Sequence, residues 1–386
     1  MAVVITRFIA GAGGVALRGA MALDRETYSV TVFSADGGPL FAEAERAGIK
    51  TVRLKHMRPE INLREDPRAL RELTAALGDG GFDIVHTHSA KAGALGRVAA
   101  HRVGVPAIVH TFHGFPFHDF QLGPVRAAYI EIERRLGRIT DQFLAVGGAV
   151  AAQAISLRIA PSERVRAIAS AIALDIPVLS EANRAAARRL MGLPEDAKVV
   201  GTVGRLAPQK APGDMVAAFE AMDRPNAYFV WVGDGPLRER MVRLIERRNL
   251  SRRFVLLGER RDVGALLPGF DAFALSSLYE GLPCSVVEAM TCGIPVAATA
   301  VNAVPEVVVP GRTGLLVPPG APAQLGRALA YLLDHPAEGL RMSRAARAQL
   351  GDRFDPEVLG RDLSETYELA LMNSARVVRR AVRLVA

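Results

Sequence analysis

Glu280 and Glu288 stand eight positions apart around Gly281-Leu282-Pro283-Cys284-Ser285-Val286-Val287. A small, rigid turn that runs into a helix leaves free backbone N–H groups facing the turn, and these attract an anion. On that reading the two carboxylates flank an anion site and can accept hydrogen bonds from sugar hydroxyls. Ser285-x-x-Glu288 also fits a capping box on a helix beginning at Ser285, with Glu288 in its first turn and merely satisfying backbone; spacing alone leaves both readings open. Upstream, Gly204-Arg205-Leu206-Ala207-Pro208-Gln209-Lys210 follows the apolar run Val199–Val203. It brings two cations to the carboxyl end of a strand, where ligands sit in open α/β sheets. Arg205 can hold phosphate oxygens in a fork and Lys210 adds a mobile point charge. No Gly-Lys-Ser/Thr occurs, so this is not a Walker A loop.

In the first half, Gly11-Ala12-Gly13-Gly14-Val15 leads from a strand into a helical pattern, and its glycines allow close backbone approach to a ligand. A clean dinucleotide fingerprint is absent, and Asp36 is followed by Gly-Gly rather than a strand end, so a plain strand-to-helix turn is an equal reading. Six of the eight histidines lie between His86 and His118. His86 and His88 share one face of a strand, as metal ligands do, but no cysteine or carboxylate cluster stands near, so no metal is expected. His113 follows the strand Ala107–Phe112 into a loop, where it can hydrogen-bond a substrate or move a proton; His110 reads as a core histidine.

These groups must be positioned by the elements around them. Short apolar runs alternate with amphipathic helical patterns from end to end, which predicts parallel sheets covered by helices. Strands are expected at Val3–Phe8, Ser29–Ala35, Lys50–Leu54, Asp83–His88, Ala107–Phe112 and Gln142–Gly147, then at Lys198–Val203, Ala227–Gly233, Phe254–Gly258, Asp271–Ser277, Pro295–Thr299 and Gly314–Pro318. Val165–Ser170 is strand-like too, and after Gly320 the pattern is helical to the end. The fold class is α/β, with two doubly wound, Rossmann-like domains and a seam near Ala167–Ser180.

With 386 residues, half of them hydrophobic, the chain can bury a large core, which excludes a disordered or fibrous protein. No uncharged run of about 18 apolar residues occurs, so no membrane span is expected. Met1–Ala22 loosely imitates a signal peptide, but Gly11, Gly13, Gly14 and Arg18 interrupt it. Two cysteines, Cys284 and Cys292, make no disulfide framework, and a cytoplasmic location is expected. The net charge of +8 favours anionic partners.

Together these segments resemble retaining glycosyltransferases of family 4, with GT-B architecture. Glu280 to Glu288 looks like that family's E-x7-E motif, continued by Ala289-Met290-Thr291-Cys292-Gly293-Ile294-Pro295-Val296. Val203-Gly204-Arg205-Leu206 with Lys210, and Val232-Gly233-Asp234-Gly235-Pro236-Leu237, are similar to other donor-side segments. His86-Thr87-His88-Ser89-Ala90-Lys91-Ala92-Gly93 and His110-Thr111-Phe112-His113-Gly114-Phe115 resemble the CapM-like enzymes of capsule and exopolysaccharide assembly.

The resemblance implies two domains facing a cleft. Residues 1–172 form the acceptor side, with a C-terminal helix 366–386 packing back on it, and residues 173–365 bind the nucleotide sugar. It implies front-face attack with retention and no metal or other cofactor, a UDP-sugar being the favoured co-substrate. Arg205 and Lys210 would stabilise the departing diphosphate, Glu280 and His113 would meet the donor sugar, and Glu288 the ribose. Gly14, Asp234, Gly281, Leu282, Pro283, Cys284 and Ser285 would line the donor site, and Arg261 lies in the loop Gly258–Arg261 that holds the base. His88, Lys91 and Phe115 are the acceptor-side candidates. The acceptor would be a saccharide or lipid-linked saccharide, and no nucleic-acid partner is expected. Lys55, Arg58, Arg64 and the Arg-rich segment Ser374–Ala386 suggest an anionic membrane surface as a further partner. Nucleotide-sugar 2-epimerases share the architecture and are the alternative, as is a natural-product glycosyltransferase. Two departures stand out: Asn302-Ala303 where the family has Gly-Gly, and Ser170-Ala171-Ile172-Ala173 where it has a Ser-Gly-Ile-Asp-like hinge. The first bears on close backbone approach to the donor, and the second on the hinge geometry.

Overall fold

The computed structural model describes residues 1–9, 11–35, 38–118, 120–172 and 176–385, apart from the side chains of 39 and 375–385. Asp36, Gly37 and Ala173 lie outside the described residues. The chain divides into two compact units, Met1–Ala171 with Arg353–Ala386, and Ile172–Asp352.

In the first unit, β1 (Ala2–Ile5), β2 (Thr31–Ser34), β3 (Lys50–Arg53), β4 (Ile84–His88), β5 (Ala107–Phe112), β6 (Gln142–Ala145) and β7 (Val165–Ala167) form one seven-stranded sheet in the order β3-β2-β1-β4-β5-β6-β7. In the second, β8 (Lys198–Val203), β9 (Ala227–Val232), β10 (Phe254–Gly258), β11 (Ala272–Leu275), β12 (Val296–Thr299) and β13 (Leu315–Val317) form a six-stranded sheet in the order β10-β9-β8-β11-β12-β13. Every ladder in both sheets is parallel. Helices cover both faces, so most strands read as apolar or β-branched runs rather than alternating ones, with β4 and β5 departing from this at His86, His88 and His110. Each run expected from the sequence falls on one of these strands: Ala107–Phe112, Lys198–Val203 and Phe254–Gly258 as expected, most others trimmed by one or more residues, and the first shifted to start at Ala2.

Parallel strands leave all their following loops on one edge. Chain direction across each sheet reverses once, between β1 and β4 in the first unit and between β8 and β11 in the second. At such a switch point neighbouring loops turn away from each other and open a crevice.

The final helix, Pro356–Val385, belongs to the first unit. Leu359, Leu363, Tyr367 and Ala370 are buried on one face, at the three- and four-residue steps of an amphipathic helix. Its Gly360 lets it approach the backbone of Ala22, where a Cβ would sit 2.6 Å from the carbonyl oxygen. Arg166 ties the helix to the sheet through Asp362 and Glu365 at 2.8 and 2.7 Å. Arg18 donates to the carbonyl of Ala171 at 2.7 Å, so the alanine in the hinge-like segment is fixed through its backbone. Among the described residues, no helix is long and apolar enough to cross a membrane.

In the second unit the loop after β8 is sewn to the loop after β9. Gly204 N–H donates to Val232, Leu206 to Asp234 and Leu237 to Leu206, and Trp231 donates its indole N–H to Gly204 O at 2.8 Å. Gly233 sits at φ +132°, and a Cβ there would lie 2.2 Å from Gly204 O. Gly233→Ala should therefore destabilise the second unit by roughly 2–4 kcal/mol, from positive-φ strain plus a backbone clash. Urea unfolding followed by the fluorescence of Trp231, the one tryptophan, measures it; an unchanged midpoint would refute this packing.

Candidate functional site

The loops after β8 and β11 meet at the switch point of the second sheet. Lys210 Nζ lies 2.5 Å from Glu280 Oε1, with the two side chains 15% and 6% exposed. A carboxylate so far removed from water needs donors around it. Ser277 Oγ donates to Oε1 at 2.6 Å and Gln209 Nε2 to Oε2 at 3.3 Å. Backbone contacts lock the same loops, with Leu278 N–H on Gln209 O at 2.8 Å and Ser276 Oγ on Lys210 O at 2.7 Å. Thr299 Oγ1, at the end of β12, donates to Ser277 O at 2.7 Å.

Arg205 is exposed on the same edge, and its guanidinium makes no hydrogen bond or ion pair with another described residue. A cation held by Glu280 and a second, uncommitted cation therefore stand on the loop after β8. Gly281, Leu282 and Pro283 are buried between β11 and the helix Cys284–Cys292. That helix begins one residue earlier than expected. Pro283 is its N-cap, with no side-chain cap bond and no acidic residue in the first turn. Ser285 is thus inside the helix rather than capping it, and Glu288 falls in the second turn. The capping-box reading does not hold, and the opening N–H groups keep their affinity for an anion.

Asp234 and Arg261 are exposed on loops along the same edge, after β9 and β10. Asp234 Oδ1 accepts from Gly235 N–H at 2.7 Å, shaping its own turn. Arg261 differs from its neighbour Arg260, which is paired with Asp262 at 2.6 Å.

The first unit presents a different chemistry at its switch point. Ser89, at φ 63°, caps the helix Ala90–Arg102 after β4, and its hydroxyl contacts Thr6 Oγ1 at 2.8 Å. The helix Ala12–Ala22, carrying Gly14, starts after β1 with Gly11 at its N-cap. Behind these loops His86, His88 and His113 form a connected group, with His86 and His88 buried and His113 partly so. His86 Nδ1 meets Tyr367 OH at 2.8 Å and its Nε2 meets Thr111 Oγ1 at 2.7 Å. The rings of His86 and His88 pack with centroids 4.2 Å apart. His88 Nδ1 lies 2.9 Å from His113 Nε2, so one of the two imidazoles donates and the other accepts. His110 is bonded to Thr87 Oγ1 at 2.8 Å, as a core histidine would be.

Lys91 is already committed: its ammonium contacts both oxygens of Asp66 and the carbonyl of Glu60, all at 2.6–2.7 Å. It ties the loop after β3 to the helix after β4. Phe115 stacks between Phe112 and Phe117 at 4.9 and 4.8 Å. Among the described residues, no group of three or more histidines, cysteines, aspartates or glutamates is placed to hold a metal ion. Gln209, Thr111 and Tyr367 were not singled out by the sequence, because each acts through a partner far along the chain; Ser277 acts on Glu280 three residues on, where its residue type alone gave no signal.

Two doubly wound parallel sheets, each with its polar loops at a switch point, are the architecture of GT-B glycosyltransferases. Residues 9–176 match the family model described as Glycosyltransferase Family 4, and residues 183–349 match Glycosyl transferases group 1. The chain belongs to glycosyltransferase family 4 and is a glycosyltransferase. It is 31% identical over 321 residues to D-inositol 3-phosphate glycosyltransferase of Thermobispora bispora, covering 78% of this chain and 73% of that one. To UDP-Gal:alpha-D-GlcNAc-diphosphoundecaprenol alpha-1,3-galactosyltransferase of Escherichia coli it is 29% identical over 301 residues, 76% and 77% of the two chains. Among solved structures, Anabaena Alr3699/HepE in complex with UDP and glucose superimposes with a TM-score of 0.82 at 21% identity, covering 95% and 99%.

Burial holds the four clustered histidines neutral: His86 is lowered to about 3 and His113 to about 4 from the ordinary 6.5, and His88 and His110 lie well below it. The unfolded chain protonates these rings as pH falls through 6.5, and the folded chain does not. The unfolded chain then binds more protons than the folded chain, so stability is undiminished above about pH 7 and is lost between pH 6.5 and roughly 3, the value to which His86 is lowered. Thermal melts should show Tm falling steeply below pH 6.5. His88→Gln should lessen that slope by about one proton, ~1.4 kcal/mol per pH unit. Identical slopes in the two proteins would contradict a neutral, buried His88.

Proposed function

We propose that the protein transfers a sugar from a nucleoside diphosphate sugar, with UDP as the favoured nucleotide, to a lipid-linked saccharide acceptor with retention at the anomeric carbon. The observation that carries this reading is the second sheet's switch point, where Arg205, Lys210 and the opening turn of the helix Cys284–Cys292 share one edge. Charge that develops on a departing diphosphate is best stabilised by donors already in place. The C–O bond from the anomeric carbon to the diphosphate breaks, a new bond forms to an acceptor oxygen, and the acceptor's proton passes to the leaving phosphate. Arg205 and Lys210 take the diphosphate and Glu280 the sugar hydroxyls. Glu288 takes the ribose, and Asp234 and the Gly258–Arg261 loop lie on the nucleotide side. His113 is assigned to the sugar and Gly14 to the donor's phosphates, close to the acceptor. Neutral at working pH, His113 accepts or donates hydrogen bonds without adding charge.

The nucleotide preference draws support from the UDP bound by the Anabaena structure and from the UDP-Gal in the name of the Escherichia coli relative. That relative's diphosphoundecaprenol acceptor supports the lipid-linked assignment, and with it a place in surface polysaccharide assembly. The loop after β3 fits work at an anionic membrane surface: it exposes Ile61 and Leu63, at 69% and 89%, among Lys55, Arg58 and Arg64. The Arg-rich tail side chains lie outside the described residues.

Two outcomes check this reading. A thermal-shift panel of UDP-, GDP- and ADP-sugars should stabilise the protein most with a UDP-sugar, and Glu280→Ala should lose about 100-fold or more of turnover with an intact fold. Full activity in that variant, or product from the donor without any acceptor, would remove the transfer reading in favour of idle carboxylates or an epimerase. Separately, Ile61→Ser/Leu63→Ser should sediment less with anionic vesicles than wild type does; equal sedimentation would dismiss this loop as the contact.

A further inference from the structure

Asn302 occupies the first glycine position of the family's Gly-Gly pair, and it does two things there. Its φ is +41°, in the left-handed region where asparagine is among the few side chains tolerated. The turn around it closes through Val304 N–H on Val301 O at 3.0 Å. Its side-chain Oδ1 also accepts the backbone N–H of Glu280 at 2.9 Å. Glycine would permit the turn but supply no acceptor.

Glu280 is therefore gripped from both flanking loops. The loop after β8 holds its carboxylate through Lys210 and Gln209, and also holds the carbonyl of Tyr279 through Gln209 Nε2 at 3.0 Å. The loop after β12 holds its backbone through Asn302. Oε1 already accepts two short bonds, from Ser277 and Lys210, whereas Oε2 accepts a single long one from Gln209 at 3.3 Å. A carboxylate oxygen has room for two donors, so Oε2 is left able to take a hydroxyl. Where it points depends on the backbone that Asn302 fixes.

We propose that Asn302 is a positioning residue for the donor sugar: by anchoring the Glu280 N–H it aims Oε2 at a sugar hydroxyl of the nucleotide sugar. The inference rests on the reading that Glu280 meets that sugar. It concerns the sugar alone, because the nucleotide and diphosphate are assigned to other groups.

Titration calorimetry with UDP and with UDP-galactose separates the possibilities. Asn302→Gly keeps the turn and removes the acceptor. It should bind UDP within about twofold of wild type but UDP-galactose about fivefold more weakly, the worth of one net hydrogen bond. Asn302→Asp, which tolerates the same φ and keeps an acceptor, should restore the ratio of the two affinities to within about twofold. Glu280→Ala should lose the ratio at least as fully as Asn302→Gly. A wild-type ratio in Asn302→Gly alongside a lost ratio in Glu280→Ala would overturn the role of Asn302 and leave that of Glu280 standing. Equal weakening of both ligands in Asn302→Gly would reduce Asn302 to a structural turn residue. A wild-type ratio in Glu280→Ala, or no binding of either ligand by wild type, would overturn the donor assignment and this inference with it.

Discussion

The contact between Lys210 and Glu280 organises the second unit's site. An ammonium and a carboxylate this deeply withdrawn from water are tolerated only when other donors complete the carboxylate's shell. Ser277 and Gln209 complete it here, and each lies within a few residues of one partner. The pairing is a product of topology: β8 and β11 are neighbours in space, but 69 positions separate the end of β8 at Val203 from the start of β11 at Ala272. Their following loops are brought face to face because the sheet is wound in two directions from that point. The same pairing leaves Arg205, on the same loop, without a partner among the described residues, which is the state required of a group awaiting an anionic ligand.

The first unit uses neutral groups instead. Its switch point is backed by imidazoles whose burial removes their charge, and by hydroxyls of Thr6, Ser89, Thr111 and Tyr367 that satisfy them or their neighbours. Such a network holds direction without net charge. The final helix is part of this arrangement, since Tyr367 reaches His86 from 281 residues away.

Strand positions were legible because parallel strands buried on both faces leave an unbroken apolar signature. The loops after β8 and β11 were legible as candidate site loops because glycine, proline or cations follow those strands. The start of the helix after Glu280 was misread by one residue: Ser285 looks like a cap, but the rigid Pro283 takes that position and draws the helix back to Cys284. Lys91 illustrates a different limit. The family resemblance makes Lys91 an acceptor candidate, and nothing local reveals that Asp66 already holds it. Asn302 was legible only as a departure from the family's glycine. That the new side chain repays the lost backbone freedom with a bond to Glu280 depends on a contact between β11 and β12 loops that no spacing in the chain encodes.

Whether this switch point is built for a diphosphate can be measured directly by titrating uridine, UMP and UDP into wild type and into Arg205→Ala/Lys210→Ala. Wild-type affinity should rise with each phosphate, and the double variant should lose about tenfold or more for UDP while binding uridine unchanged. Equal affinity of the double variant and wild type for UDP, or parallel losses for uridine and UDP, would contradict a diphosphate held by these two cations.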